Sequence, residues 1–335
     1  MAEISLAHGS GGKLTHEFIR KNILKSYGNP VLNRLTDAAV IKLASGERLA
    51  FTTDSFVVKP VIFKGGDIGK LAVCGTVNDL AVCGAVPLYI SCALIMEEGL
   101  PYILIKKIIN SMKEEARSAG VEIVTGDTKV VEKGSCDKLF INTSGVGVVR
   151  YRNELSPRKI KTGDKIVING PIADHGVAVL LARESLGFKS EVRSDCASLN
   201  RLILTVLDKC SNVKFMRDPT RGGLAATMNE IAENMPFGIR LFEQNIPLNK
   251  ATESACEILG LDPLSIGNEG KVIMIMPEKE ARKAVDVMKR NKFGRKAAVI
   301  GEVTKDFKGK VVVKTKVGGE RIVDMPLLES LPRIC

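Results

Sequence analysis

The chain contains no tryptophan, and its 4 tyrosines and 11 phenylalanines among 335 residues leave no ring array on which nucleic-acid bases could stack. Forty-nine Lys and Arg against 38 Asp and Glu give a net charge of +11, but the basic residues are scattered and form no arm. That surplus favours nucleotides or an anionic protein face as partners, and argues against nucleic acid. The longest uncharged apolar run, Leu88 to Met96, is about half a membrane span, so no membrane segment is expected. No basic stretch followed by an apolar one opens the sequence, and a cytoplasmic location is expected. Only 3 histidines accompany 8 cysteines, none spaced Cys-x-x-Cys, which argues against zinc and for reduced thiols. The two common phosphate loops, Gly-x-x-x-x-Gly-Lys-Ser/Thr and Gly-x-Gly-x-x-Gly, are also missing.

What is present is an ordinary globular composition, 45% hydrophobic and 26% charged, long enough for two domains. Asp67 is placed to cap a helix reaching towards Ala85; Leu88–Met96 reads as a buried strand, Leu104–Ala119 as a helix closed by Gly120, and Glu122–Thr125 and Lys138–Val149 as strands. After a linker at Ser156–Asp164, strands near 165–169, 238–243, 271–276 and 297–303 alternate with helices at Ala173–Leu186, Ser198–Cys210, after Gly223, at 250–259 and at 278–290. The expected fold class is α/β with mixed sheets (α+β), divided at 1–155 and 156–316, followed by a flexible C-terminal tail at 317–335.

Several features carry chemistry. His8-Gly9-Ser10-Gly11-Gly12 is a loop whose backbone N–H groups suit a phosphate, although a disordered terminus reads the same way. Asp37, Asp54 and Asp127 stand where apolar runs begin or stop, and such carboxylates gather at one sheet edge, a setting that suits Mg²⁺. Asp79 lies in a largely apolar helix and needs a partner, a metal being one candidate. Taken singly, each aspartate is equally a cap or turn residue. Arg217-Asp218-Pro219-Thr220-Arg221-Gly222-Gly223 opens a helix and makes an anion site or an ordinary capped loop. Gly267-Asn268-Glu269-Gly270 offers one carboxylate between glycines, as a general base or as a turn. The sequence ends on Leu331-Pro332-Arg333-Ile334-Cys335, where a thiol on a mobile arm is a candidate reactive group.

These segments together resemble the HypE-type maturation factors of nickel–iron hydrogenases, within the superfamily of aminoimidazole ribonucleotide synthetase and selenophosphate synthetase. The resemblance spans the chain and rests on the His8–Gly12 loop, Thr53-Asp54, Gly75-Thr-Val-Asn-Asp79, Gly126-Asp-Thr-Lys129, Asp218-Pro-Thr-Arg-Gly-Gly223, Asn268-Glu269-Gly270 and Pro332-Arg-Ile-Cys335. It implies a two-domain aminoimidazole-ribonucleotide-synthetase-like architecture. It also implies ATP-dependent dehydration of a carbamoyl group on Cys335 to a thiocyanate, the source of cyanide for the hydrogenase iron. By that resemblance Asp37, Asp54, Asp79 and Asp218 are Mg²⁺ ligands; Cys335, Lys129, Glu269 and Asp79 are catalytic; and Gly9, Ser10, Gly11, Gly12, Asn78, Asp127, Arg221 and Gly222 bind the nucleotide. The implied partners are HypF as carbamoyl donor, a HypC–HypD complex as cyanide acceptor, and a second copy of the chain, with no nucleic acid and no membrane. Other oxygen-activating enzymes of the superfamily, or a non-catalytic thiol scaffold, are the alternatives. Against selenophosphate synthetase stands the position of the first cysteine, Cys74, far from the glycine loop.

Overall fold

The structure, a computed structural model, describes residues 3–183, 190–327, 331 and 333–335. The end of the helix expected to reach Leu186, and Pro332 of the terminal segment, lie outside the described residues.

The first half is a five-stranded sheet in the order β1 (Ala39–Lys42), β2 (Arg48–Phe56), β7 (Leu139–Val149), β5 (Ala85–Glu97), β6 (Glu122–Val131). Only the β5–β6 pair is parallel; the others are antiparallel. A short ribbon of β3 (Ile62–Phe63) and β4 (Gly66–Asp67) leads into helix α3 (Ile68–Val82). Asp67 caps α3 by accepting from the Gly69 and Lys70 amides at 2.8 and 3.0 Å. All residues of α3 except Lys70 and Asp79 are fully buried, which is why its sequence is apolar all round. Helix α4 (Tyr102–Ala119) is amphipathic, burying Ile108, Met112, Ala116 and Ala119, and ends at Gly120 with φ +79°. Ahead of the sheet lie the short helices α1 (Lys13–Phe18) and α2 (Lys25–Tyr27).

The second half is a seven-stranded sheet, β14 (Glu320–Val323), β13 (Val311–Lys314), β10 (Gly238–Phe242), β12 (Ala298–Thr304), β8 (Lys165–Ile168), β11 (Ile273–Met276), β9 (Phe215–Arg217). Its helices are α5 (Asp174–Arg183), α6 (Asn200–Lys209), α7 (Gly223–Ala232), α8 (Lys250–Leu259) and α9 (Glu278–Lys289). The expected 317–335 tail is shorter than that range: β14 pairs antiparallel with β13, so residues through Val323 belong to the sheet. A turn at Gly318, φ +93°, makes that hairpin. One apolar core runs from Phe56, Ile68 and Ile90 in the first half to Ile166, Ile275 and Ile300 in the second, so the two sheets pack across a shared interior.

Candidate active site

Burial alternates along β2, sending Ala50, Thr52 and Phe56 towards α3 and Phe51, Thr53 and Ser55 to the opposite face. Asp54 shares the α3 side. Gly75 permits this approach, because a Cβ there would stand 2.9 Å from the Phe56 ring and 3.4 Å from Asp54 Oδ2. Asp79, one turn further along α3, has Oδ2 2.8 Å from the Thr52 hydroxyl, which also lies 2.9 Å from the Asp37 carbonyl. One hydroxyl proton serves one acceptor, so both contacts are satisfied when Asp79 carries a proton.

The second half contributes Asp218, just after β9, and Glu269, both buried. Burial and then the charge of Asp37, opposed by Arg217, bring the Asp218 carboxyl up to about 8. Burial, then the charges of Asp218 and Asp54, lifts Glu269 well above the usual carboxylate range. Asp79 is lifted likewise by burial and by Asp218, Asp54 and Asp37, while Arg221 moderates the rise that burial causes at Asp54. Asp79, Asp218 and Glu269 are thus each raised by neighbouring acids, an electrostatic group that favours a proton or a cation. Asp37 is the most compensated, since Arg217 Nε stands 3.1 Å from it while Arg217 Nη1 holds Glu230 at 2.9 Å. Among the described residues no three Asp, Glu, His or Cys side chains converge closely enough to form a ready metal cage.

The glycine loop lies against this group. Gly11, φ +81°, packs on Arg221, where a Cβ would meet the Arg221 side chain at 2.7 Å, and its amide donates to Thr15 Oγ1 at 2.9 Å. Gly222, φ +69°, lies beside the Gly11 carbonyl, and Gly12 is pressed on the Pro326 carbonyl. Ser10 is buried with its hydroxyl on the Ala7 carbonyl, and Gly9 closes the short 3-10 turn Leu6–Gly9. Gly9, Ser10, Gly11, Gly12, Arg221 and Gly222 are thus brought together.

Three expected residues stand elsewhere. The Asn78 amide is taken up by protein: its Nδ2 donates to the Ala197 carbonyl at 3.0 Å and its Oδ1 accepts from the Leu199 amide at 2.8 Å. Asn78 therefore fastens α3 to the second half, both ends of its side-chain amide being bonded within the protein. Asp127 and Lys129 are not gathered with the other acids at one edge. Asp127 registers with Ala93, Ala93 with Asn142 and Asn142 with Ser55, all on the sheet face turned away from Asp54. There they form an exposed ion pair at 2.8 Å. Two residues per strand repeat decide the face, and Asp127 has the outward parity.

The terminal segment is docked. Lys59 N donates to the Arg333 carbonyl and Val57 N to the Cys335 carbonyl, each at 3.1 Å, while Arg333 Nε returns a bond to the Val57 carbonyl at 3.0 Å. Ile334 and Leu331 are buried; a Cβ on Gly267 would stand 2.4 Å from Ile334 Cδ1, and one on Gly176 would stand 3.3 Å from Leu331 Cδ1. His175 Nε2 donates to the Ile334 carbonyl at 2.7 Å, and Arg333 Nη1 bonds Asp137 at 2.8 Å. Val57 follows Asp54 by three residues and Gly267 precedes Glu269 by two. Cys335 is thereby held between the segments that carry two of the acids.

Residues 35–149 match the family described as AIR synthase related protein, N-terminal domain, and residues 161–314 its C-terminal domain. Carbamoyl dehydratase HypE of Rhodobacter capsulatus is 47% identical over 335 residues, covering 99% of this chain and 98% of the relative. This chain belongs to the HypE family. The HypE of Escherichia coli K12 is 44% identical, with 100% of each chain covered. A crystal structure of a HypE–HypF complex superposes with TM-score 0.87 at 46% identity over 92% of this chain and 99% of that one. A HypE structure in complex with ATP gives 0.83 at 44% identity over 99% and 100%. A thiamine monophosphate kinase at 18% identity and TM-score 0.65, covering 90% of this chain and 97% of that one, shares the fold.

Within this HypE fold the sequence reading missed the groups that hold the site's parts in place. Asp195 accepts from the Glu269 amide at 3.0 Å through Oδ1 and from Lys271 Nζ at 2.7 Å through Oδ2. His175 holds the tail. Neither stands in a glycine-rich or strand-end setting, so only a count of the buried charges could have pointed to them.

Proposed function

We propose that this chain converts an S-carbamoyl group on Cys335 to a thiocyanate at the cost of ATP, releasing ADP and phosphate. The observation that carries the reading is the docking of Cys335 between the segments bearing Asp54 and Glu269. Residues 1–155 form the nucleotide-binding and dimerisation unit, 156–316 the second α/β unit, and the end of the chain an arm bearing the thiol.

The carbamoyl oxygen leaves poorly and is first phosphorylated by ATP; the C–O bond then breaks as phosphate departs. Two N–H protons are lost, one at each stage, and the carbon–nitrogen triple bond forms. Glu269, whose elevated pKa makes it a strong base once ionised, takes the second proton. Gly9, Ser10, Gly11 and Gly12 wrap the phosphates, with backbone amides other than that of Gly11, which is bonded to Thr15, as donors, and Arg221 and Gly222 close over them. The donor set of Asp37, Asp54, Asp79 and Asp218 is all hard oxygen, and the charges of Asp218, Asp54 and Asp37 raise Asp79, a repulsion that Mg²⁺ drawn among them would relieve. When bound, Mg²⁺ neutralises phosphate charge there. Asp127 and Lys129 face outward and serve this reaction from a second copy of the chain, placed on the exposed sheet face where Phe51, Tyr89 and Ile95 lie. HypF loads the thiol, and the cyanide passes to an iron held by HypC–HypD, all in the cytoplasm.

Mass spectrometry of the terminal peptide tests the reading. After incubation with HypF, carbamoyl phosphate and ATP, Cys335 gains a carbamoyl and then a cyano increment, and Cys335→Ala gains neither. An increment on Cys335→Ala, or ATP turnover independent of Cys335, would overturn it.

A further inference from the structure

On the far side of the 269–271 segment lies a cavity of about 540 Å³, within the range of sites for small molecules. Lys70, Arg193, Lys271, Lys292, Arg295 and Lys296 line it, and among the described residues of the lining Asp195 is the one carboxylate. Asp195 is already spent on Lys271 and on the Glu269 amide. The cavity is built, not a chance meeting of surface lysines. Asn169 is fully buried, and its Nδ2 spans the Gly270 and Phe293 carbonyls at 3.1 and 2.8 Å, fixing the two walls. Lys271 is buried at the floor, and Lys296 Nζ is braced on Asn249 Oδ1 at 2.6 Å. A Cβ at Gly170 would have Lys271 Cε at 3.6 Å and the Phe293 carbonyl at 3.9 Å, so the floor opens over glycine.

Lys271 and Asp195 offset each other, which leaves Lys70, Arg193, Lys292, Arg295 and Lys296 as a net positive lining that gains from an anion of several charges. We propose that this cavity is a second ligand site, separate from the acidic group, for an anion bearing two or more linked phosphates. The acidic group and this cavity have opposite signs, so a phosphate chain enters this cavity without a metal and enters the acidic group only with one. Lys271 is shared between the ligand and Asp195, which places the site one hydrogen bond from the Glu269 backbone.

The probe is pyrophosphate, with ADP as a second arm, titrated calorimetrically into the full chain in a chelating buffer free of divalent ions. The expected result is one site per chain whose affinity falls steeply with salt. The charge reversal Lys292→Glu, Arg295→Glu, Lys296→Glu, all at exposed positions, weakens it by about tenfold or more. Pyrophosphate binding without ADP binding assigns the site to inorganic polyphosphate; ADP competing with pyrophosphate assigns it to a nucleotide. Because Mg-ATP binding is measured on the same variant, failure here is separable from failure of the dehydratase reading. In the unmutated protein, pyrophosphate also protects Lys292 and Lys296 from acetylation, read by mass spectrometry, which keeps the proposal open to refutation if the variant folds poorly. Absence of metal-free binding, equal affinity in the variant, or unprotected lysines would each overturn it.

Discussion

The His175 imidazole reaches the Ile334 carbonyl with Nε2 at 2.7 Å while its Nδ1 lies 2.8 Å from the Ser194 hydroxyl. Burial holds its pKa below the ordinary histidine value, so the ring is neutral, and the carbonyl fixes the tautomer: Nε2 carries the proton and Nδ1 accepts from Ser194. The ring thus latches the residue next to the carrier thiol. His175→Ala removes the donor and leaves a buried carbonyl unpaired, worth roughly 1–3 kcal/mol against the docked state. Cys335 should then alkylate roughly 5- to 150-fold faster, with the Cys335→Ala protein used to subtract the other thiols. An unchanged rate in a folded variant would show that the latch does not hold the arm.

Asp218 gives a pH test. Its native pKa is about 8 against an unfolded value of 3.8, so between these limits the native state holds a proton that the unfolded chain does not. Metal-free stability therefore falls as pH rises through that window. Asp218→Asn cannot ionise, so its metal-free melting temperature should change less than the wild type's between about pH 6 and about pH 8, and should be higher at the upper end. Mg²⁺ competes with the same proton, so its binding should strengthen over that range in the wild type. ATP turnover is lost in the variant. A parallel pH dependence of melting in the two proteins would place the proton elsewhere.

Asn78 separates positioning from ligand binding. Asn78→Ala leaves the Leu199 amide without its acceptor, and one such unmet buried donor costs roughly 1–3 kcal/mol. Urea unfolding should show that loss directly. Unaltered stability with weakened ATP binding would place Asn78 in the nucleotide set.

The parts of the fold that were legible are those where local pattern and tertiary setting agree. Helix α4 shows its buried stripe at Ile108, Met112, Ala116 and Ala119, and Asp67 announces α3 by its cap. The resemblance implies a common site for Asp54, Asp79, Asp218 and Glu269, and in the fold the charges of Asp218 and Asp54 act on both Asp79 and Glu269. The face on which Asp127 and Lys129 stand could not be anticipated. A strand's two faces differ by a single residue of register, and that register is set by pairing of β6 with β5 and of β5 with β7, long-range contacts that β6 itself does not encode. The docked arm was illegible for the same reason: its partners, Val57 and Lys59, lie more than half the chain away in sequence. The β13–β14 hairpin had a local signal, Gly318-Gly319, that the lack of helical period in this stretch obscured.

That separation of faces also provides the sharpest test of assembly. Asp79 lies on the α3 side of the first sheet and Lys129 on the other, with the sheet between them, so one chain does not bring both to one phosphate. Phe51, Val146 and Tyr89 form a row on the outer face, and Phe51 and Tyr89 are 44% and 47% exposed. A second copy laid on that row would cover apolar surface and carry Lys129 towards the first copy's acids. Lys129→Ala and Asp79→Asn should each abolish turnover when purified alone. Co-expressed from two tagged copies, they form mixed dimers in which one site has both residues intact and the other has neither. Random pairing makes half the dimers mixed, each with one working site of two, so the preparation should regain about a quarter of wild-type activity. If Lys129 instead served the acids of its own chain, every site in the mixture would lack one residue or the other, and activity would stay at the level of the single variants.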